Sequence, residues 1–209
     1  MSELFLYKVP RDYGFAPNPF WGFLTLATCK PRIRKKALIG DFVLGLGGAT
    51  TQIPGKILFV MKVEEILTFN EYWNDERFQM KKPVTNGSSK VFMGDNIYYL
   101  EGEAWIQVDS HHSLKNGSPN ELNVKRDTKT DRVLISKDVW WYFGVNGIEL
   151  PNELEKYKSF GIGHKVLDNN AIDILINHLK KNTIERHRLG DPNEWDNQKS
   201  IGIERYDGK

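Results

Sequence analysis

Hydrophobic positions along the chain fall into short β-forming runs broken by turn residues, and one late segment follows a helical period. LFLYKVP at 4–10 alternates and ends at a proline, which predicts a first strand. FWGFLTLATC at 20–29 is strand-like again. PRIRKKAL then opens on Pro31, a preferred first helical position, and predicts one or two basic helical turns. IGDFVLGLGG reads as a Gly-Asp turn into an apolar strand closed by a glycine pair. GKILFVMKVEEIL at 55–67 is the longest β-type run; it is apolar on both faces and predicts a central strand.

Thr68 and Glu71 have capping-box spacing, with Leu67 and Tyr72 placed as a hydrophobic staple, so a helix is predicted to start at Thr68. KKPVTNGSSK at 81–90 reads as a flexible excursion. NIYYLEG and EAWIQVD predict a hairpin around Gly102, and residues 113–131 predict a long polar surface loop. RVLISKDVWWYFG resumes the sheet. In NNAIDILINHLKKN, Ile172, Leu175, Ile176 and Leu179 share one face, Asp168 or the following asparagines can cap, and lysines fill the last turn: a helix. The chain from Asn182 onward is polar and reads as a partly disordered or draped tail. The predicted organisation is therefore one domain over 1–209, with its core at about 4–181 and a polar tail at 182–209.

Composition narrows the class. With 209 residues, 40% of them hydrophobic, the chain can bury a core without a disulfide or metal staple. The single cysteine, Cys29, excludes an internal disulfide and suits a reducing compartment. The N-terminus lacks a signal-peptide pattern, and no apolar run nears the roughly 18 residues of a membrane span. A cytoplasmic protein with no membrane partner is expected. A net charge of +2 gives no broad grip on duplex DNA, but KPRIRKK at 30–36 concentrates five Lys or Arg with no acid.

Four stretches carry candidate chemistry. In VPRDYGFAPNPF at 9–20 and the residue after it, Arg11 can hold a phosphate or carboxylate. Tyr13, Phe15, Phe20 and Trp21 can stack on a flat ring, with Asp12 and Asn18 beside them. The structural alternative is an Arg11–Asp12 pair in a proline-stiffened plug. In TCKPRIRKK, Lys30, Arg32 and Arg34 can take phosphate and Cys29 can serve as a nucleophile, against the reading of a small buried hydrophobe. In GDNIYY at 94–99, Asp95 and Asn96 can read a base edge and Tyr98 or Tyr99 can stack, against a plain turn into a strand. In DSHH at 109–112, an extended chain would pair Asp109 with His111 and turn His112 to the other face, giving acid–base chemistry. His164, His178 and His187 offer no zinc-like spacing to complete a metal set, so neither a metal nor a cofactor is expected. Dinucleotide, Walker, GxSxG and CxxC signatures are missing from the sequence.

RDYGFAPNPF, LATCKPRIR, IGDFVLG, TFNEYWNDERF, GDNIY, DSHH and TDRVLIS occur in that order across about residues 4–165. Together they resemble the nucleotide modification associated domain 2 proteins of bacteria and their phages. The resemblance implies company with nucleotide-modification systems and no particular reaction. The layout around the GD turn and FNEYWNDERF is also similar to PUA-like domains such as EVE, YTH and ASCH, small mixed barrels that hold a modified base in an aromatic cage.

The expected fold is α+β, a curved mixed sheet or PUA-like barrel with peripheral helices. The expected function is recognition of a nucleotide or modified nucleobase, free or within flipped or single-stranded nucleic acid, in DNA modification or phage defence and counter-defence. In that reading Tyr13, Phe15, Trp21 and Trp73 stack on the base, Asp95, Asn96 and Asp109 take its polar edge, and Arg11, Lys30, Arg32 and Arg34 take phosphate. The alternative is an enzyme acting on a nucleobase or nucleotide. His111 or His112 would then be acid or base, paired with Asp109 or Asp12, with Cys29 a secondary choice as nucleophile.

Overall fold

A computed structural model describes residues 2–161, 163–182, 185–195 and 205. In chain order its elements are β1 (Leu4–Val9), β2 (Leu24–Leu26), α1 (Pro31–Lys36), β3 (Phe42–Gly47), β4 (Ile57–Lys62), β5 (Glu65–Leu67), α2 (Phe69–Asn74) and α3 (Ser89–Phe92). β6 (Tyr98–Glu101), β7 (Ala104–Gln107), α4 (Glu121–Asp127), β8 (Val133–Ser136), β9 (Trp140–Tyr142), β10 (His164–Leu167), α5 (Asn169–Asn182) and β11 (His187–Arg188) complete them. A mixed sheet runs in the order β10-β1-β3-β4-β9-β11, a second sheet is β2-β8-β5, and β6-β7 form the hairpin expected around Gly102. The fold is α+β. Its large sheet is open, not closed into a barrel: β10 and β11 lie at opposite edges.

Strand alternation builds the layers. Phe5, Tyr7 and Val9 point to one face of the large sheet and pack with Leu24 and Leu26 of β2, Ile33 of α1 and Leu134 of β8. Leu4 and Leu6 point to the other face and meet Ile172, Leu175 and Leu179 of α5. A third cluster lies beyond the small sheet, where Phe69 and Tyr72 of α2 and Tyr98 of β6 join Val133 and Ile135 with Tyr13 and Phe15 of the proline-rich loop.

The run at 55–67 is central as expected, since β4 pairs with both β3 and β9. It is not one strand, however. At Glu64 the chain leaves the large sheet and continues as β5 in the small one. The reason is local: the Glu64 carboxylate accepts the amides of Lys137, Asp138 and Val139 at 2.8, 2.8 and 3.1 Å. That same turn divides RVLISKDVWWYFG into β8 and β9, so one carboxylate ties both corners where the chain changes sheets.

The helix from Thr68 has its capping box in place, with Glu71 N donating to Thr68 Oγ1 at 3.2 Å. Two expected loops hold more structure than their polarity suggested. Residues 89–92 form α3. Within 113–131, the Asn120 side chain accepts the amides of Leu122 and Asn123 and starts α4. The tail contributes β11 on the edge of β9 and a segment at 190–195 that covers the proline-rich loop.

Candidate active site

β2 delivers the chain to a sharp corner. Cys29 has φ 56° and Lys30 has φ 40°, both left-handed, before Pro31 begins α1. Two successive non-glycine residues in that region cost on the order of 1–2 kcal/mol each, and such strain concentrates at functional positions. The corner is held from below by Arg34, which is fully buried. Its Nε donates to Cys29 O at 2.9 Å, and its terminal nitrogens donate to the carbonyls of Arg132 at 2.7 Å, Thr130 at 3.1 Å and Asp127. Burial lowers the Arg34 pKa to about 10, the nearby charge of Asp127 working against that fall, and the group stays a cation at neutral pH.

Three side chains from distant parts of the chain meet at this corner. Cys29 Sγ lies 3.8 Å from His112 Nε2, and His112 Nδ1 lies 2.8 Å from Asp127 Oδ2. Cys29 is half-buried, whereas His112 and Asp127 are buried. Asp127 Oδ1 also accepts the Cys29 amide at 3.0 Å, so the carboxylate fixes the thiol's backbone as well as the imidazole. The Tyr98 hydroxyl donates to Asp127 Oδ2 at 3.1 Å, and Arg126 Nε donates to Oδ1 at 3.0 Å. Gln107 and Asn123 hold the His112 carbonyl at 3.3 and 2.8 Å, and Phe15 lies against the imidazole with ring centroids 4.5 Å apart.

The charges reinforce one another. Burial pushes the Cys29 thiol up, but the His112 charge and hydrogen bond outweigh it and the thiol lies below its ordinary value. Burial alone would depress His112; the charges of Asp127 and Cys29 raise it to about 9. Burial opposes ionisation of Asp127, and His112 and Arg126 more than offset this, holding the acid well below the usual carboxylate range. Each shift runs toward the charged form, so the arrangement favours thiolate and imidazolium over the uncharged pair more than the free groups would, with a carboxylate orienting the ring.

The same three residues place a sulfur, a ring nitrogen and a carboxylate oxygen within 4.8 Å of one another, which is a possible metal set. His112, however, turns opposite ring nitrogens to its two partners, and one ion could bind only one of them. As it stands, each ring nitrogen faces one partner, which is the order of a nucleophile, an imidazole and an orienting acid.

The other expected site residues are dispersed. Asp109 pairs with Arg205 and not with a histidine, because DSHH is a turn and not an extended strand. His111 packs between Tyr13 and Phe15 at 4.8 and 5.1 Å. Asp12 is buried and accepts Tyr142 Oη at 2.6 Å and both the amide and side-chain nitrogens of Asn193 at 3.1 and 3.0 Å. Asp95 accepts Thr25 and Tyr72 hydroxyls at 2.6 and 2.8 Å. Asn96 donates to the carbonyls of Tyr72 and Phe78, and Asn18 accepts the buried Lys81 ammonium at 2.6 Å. Tyr13, Phe15 and Phe20 are core, while Trp21 sits under Lys90 at 3.8 Å and Trp73 stacks on Tyr99 at 4.5 Å. Arg11 and Arg32 are exposed. A cavity of about 450 Å3 lined by Ser113, Leu114, Lys115, Asn116 and Arg205 adjoins the DSHH turn and includes none of the three relay residues.

Asp127 was absent from the expected site because nothing in a polar stretch marks one acid among several. The available signal was the Asn120–Glu121 helix start, which would have placed Asp127 two turns on, at a helix end.

Fold and site together define an α+β protein with a cysteine–histidine–aspartate array at a strained strand-to-helix corner. The chain belongs to the nucleotide modification associated domain 2 family, whose model matches residues 1–199, and so to a group associated with nucleotide modification. No curated protein and no solved structure matches it.

Proposed function

We propose that the protein is a cysteine-dependent acyl-transfer enzyme acting on a nucleotide or nucleobase. The observation that carries this reading is the 3.8 Å approach of Cys29 Sγ to His112 Nε2, with Asp127 at 2.8 Å behind the imidazole. A simple sequestering pocket has no need of a thiolate held on strained backbone. The family's association with nucleotide modification is in keeping with a substrate of the nucleotide class.

The chemistry follows from the geometry. The Cys29 thiolate attacks an acyl carbonyl carbon and forms a C–S bond. As the carbon's bond to its nitrogen or oxygen leaving group breaks, the proton on His112 Nε2 passes to that group. A thioester on Cys29 remains. An incoming amine or water then attacks the thioester carbon, gives its proton to His112, and displaces the thiolate. Asp127 stays ionised throughout and fixes the ring, as in other nucleophile–imidazole–acid systems. Arg34, Tyr98 and Asn123 position the groups without touching the reacting atoms.

The test is covalent. The protein is incubated with a small-molecule extract of cells rich in nucleotides, and its mass is read before and after hydroxylamine. A hydroxylamine-labile adduct mapped to the Cys29 peptide, missing in Cys29→Ser, is the expected result. Base-modifying activity that survives in Cys29→Ser would overturn the reading.

A further inference from the structure

Beside the thiol corner lies a group of cations with no carboxylate partner among the described residues. α1 projects Arg32 and Lys36, four residues apart and exposed, on one side of the helix. Lys30, the chain neighbour of Cys29, rests its ammonium over the Tyr7 ring at 4.5 Å. Tyr7 is the register partner of His164 on the edge strand β10. The His164 pKa is lowered first by partial burial and then by the charges of Lys36, Arg32 and Lys30, in keeping with their position on the same side of the sheet edge. Lys30 in turn feels the charge of Cys29. Among the described residues, none of Lys30, Arg32, Lys36 and His164 forms an ion pair.

A second, independent feature lies at the same place. The Tyr7 hydroxyl is buried and finds no hydrogen-bond partner among the described residues, although it sits within electrostatic reach of Cys29. A buried hydroxyl without an acceptor is costly to leave unmatched, so an arriving acceptor is favoured there. Cations without a carboxylate partner, with an unused donor beside them and a nucleophile next to them, call for an anion with several oxygens.

We infer that Lys30, Arg32 and Lys36, with the Tyr7 hydroxyl, form a phosphate subsite, so that the substrate of Cys29 is a phosphorylated nucleotide and not a free base or nucleoside. This rests on the nucleophile reading above and adds its substrate class. It also changes which cations do the binding. Arg34, expected from sequence to take phosphate, spends its donors on four carbonyls, and Lys36, outside the expected set, replaces it.

The experiment compares alkylation of Cys29 by iodoacetate, an anion, with alkylation by neutral iodoacetamide, at low salt. Local positive potential speeds the anion relative to the neutral reagent. In the Arg32→Ala/Lys36→Ala double variant the iodoacetate-to-iodoacetamide rate ratio falls about fourfold, and 1 M salt produces a similar fall in the wild type. Inorganic phosphate slows alkylation of the wild type and loses that protection in the double variant. An unchanged ratio with no phosphate protection overturns the subsite. Activation of Cys29 is read separately, from the pH at which iodoacetamide reacts. An ordinary thiol with a ratio that still falls removes the catalytic reading and keeps the anion subsite, whereas an activated thiol with an unchanged ratio does the reverse.

Discussion

The decisive residue is Cys29, because its side chain and its backbone make opposite demands. Its φ of 56° suits glycine, yet the proposed chemistry needs a thiol. Cys29→Gly is therefore predicted to be more stable than Cys29→Ala by about 1 kcal/mol, reversing the usual order of those two residues. Urea unfolding of the two variants measures this, and an alanine variant as stable as the glycine one would show that the corner carries no strain. Arg34 sets the other limit at this scale. A lysine in its place keeps one charge but cannot reach four carbonyls, so Arg34→Lys should lose about 2–4 kcal/mol and slow Cys29 alkylation near pH 6. Equal stability of Arg34→Lys and wild type would mean that the guanidinium does not hold the corner.

At the scale of elements, the proline-rich loop turns out to hold the protein's own chain. Asp12 joins it to β9 through Tyr142 and to the tail through Asn193; Trp195 donates to Tyr13 O at 3.0 Å and stacks on Phe20 at 5.4 Å. Asp12→Asn cannot accept all of these bonds, and a loss of about 2 kcal/mol with faster hydrogen exchange at 190–195 is expected. Unchanged exchange there would show that other contacts carry the latch. Most elements were legible in the sequence because each carried a local signal. Pro31 opened α1, the Thr68–Glu71 pair opened α2, and the 172-175-176-179 stripe gave α5. What could not be read was pairing over distance. The Glu64 corner depends on a turn 73–75 residues away, and the partner of His112 is set 15 residues downstream by a helix with almost no apolar face. DSHH contains His112, but the structure pairs that ring with Asp127 and not with Asp109 or Asp12, since local alternation cannot anticipate a turn. The aromatic loop was conspicuous for its cost, yet most of that cost goes into core packing against His111 and His112.

Over the whole molecule, the relay links stability to pH at two edges. The folded-state pKa of His112 is raised, so its stabilising contribution is complete below the ordinary imidazole pKa of about 6.5 and is lost as pH rises toward about 9. Asp127 is depressed, so its contribution is complete above the ordinary carboxylate pKa of about 3.9 and is lost as pH falls below it. Urea midpoints from pH 3 to 10 should therefore separate wild type from His112→Gln most widely between about pH 4 and 6.5. In the Cys29→Ser background the alkaline edge should move toward neutral, since the thiolate helps to hold the His112 proton. A separation independent of pH would deny the ion pair. No helix among the described residues is long and apolar enough to cross a membrane, and the open sheet leaves the Cys29 corner at the junction of the two sheets and α1. Whether Cys29 is an activated nucleophile at that corner is read from the pH–rate profile of its alkylation with iodoacetamide. The midpoint should lie below the ordinary thiol value near 8.5, with His112→Ala shifting the profile up to that value. A wild-type profile already centred near 8.5 and indifferent to His112→Ala would contradict it.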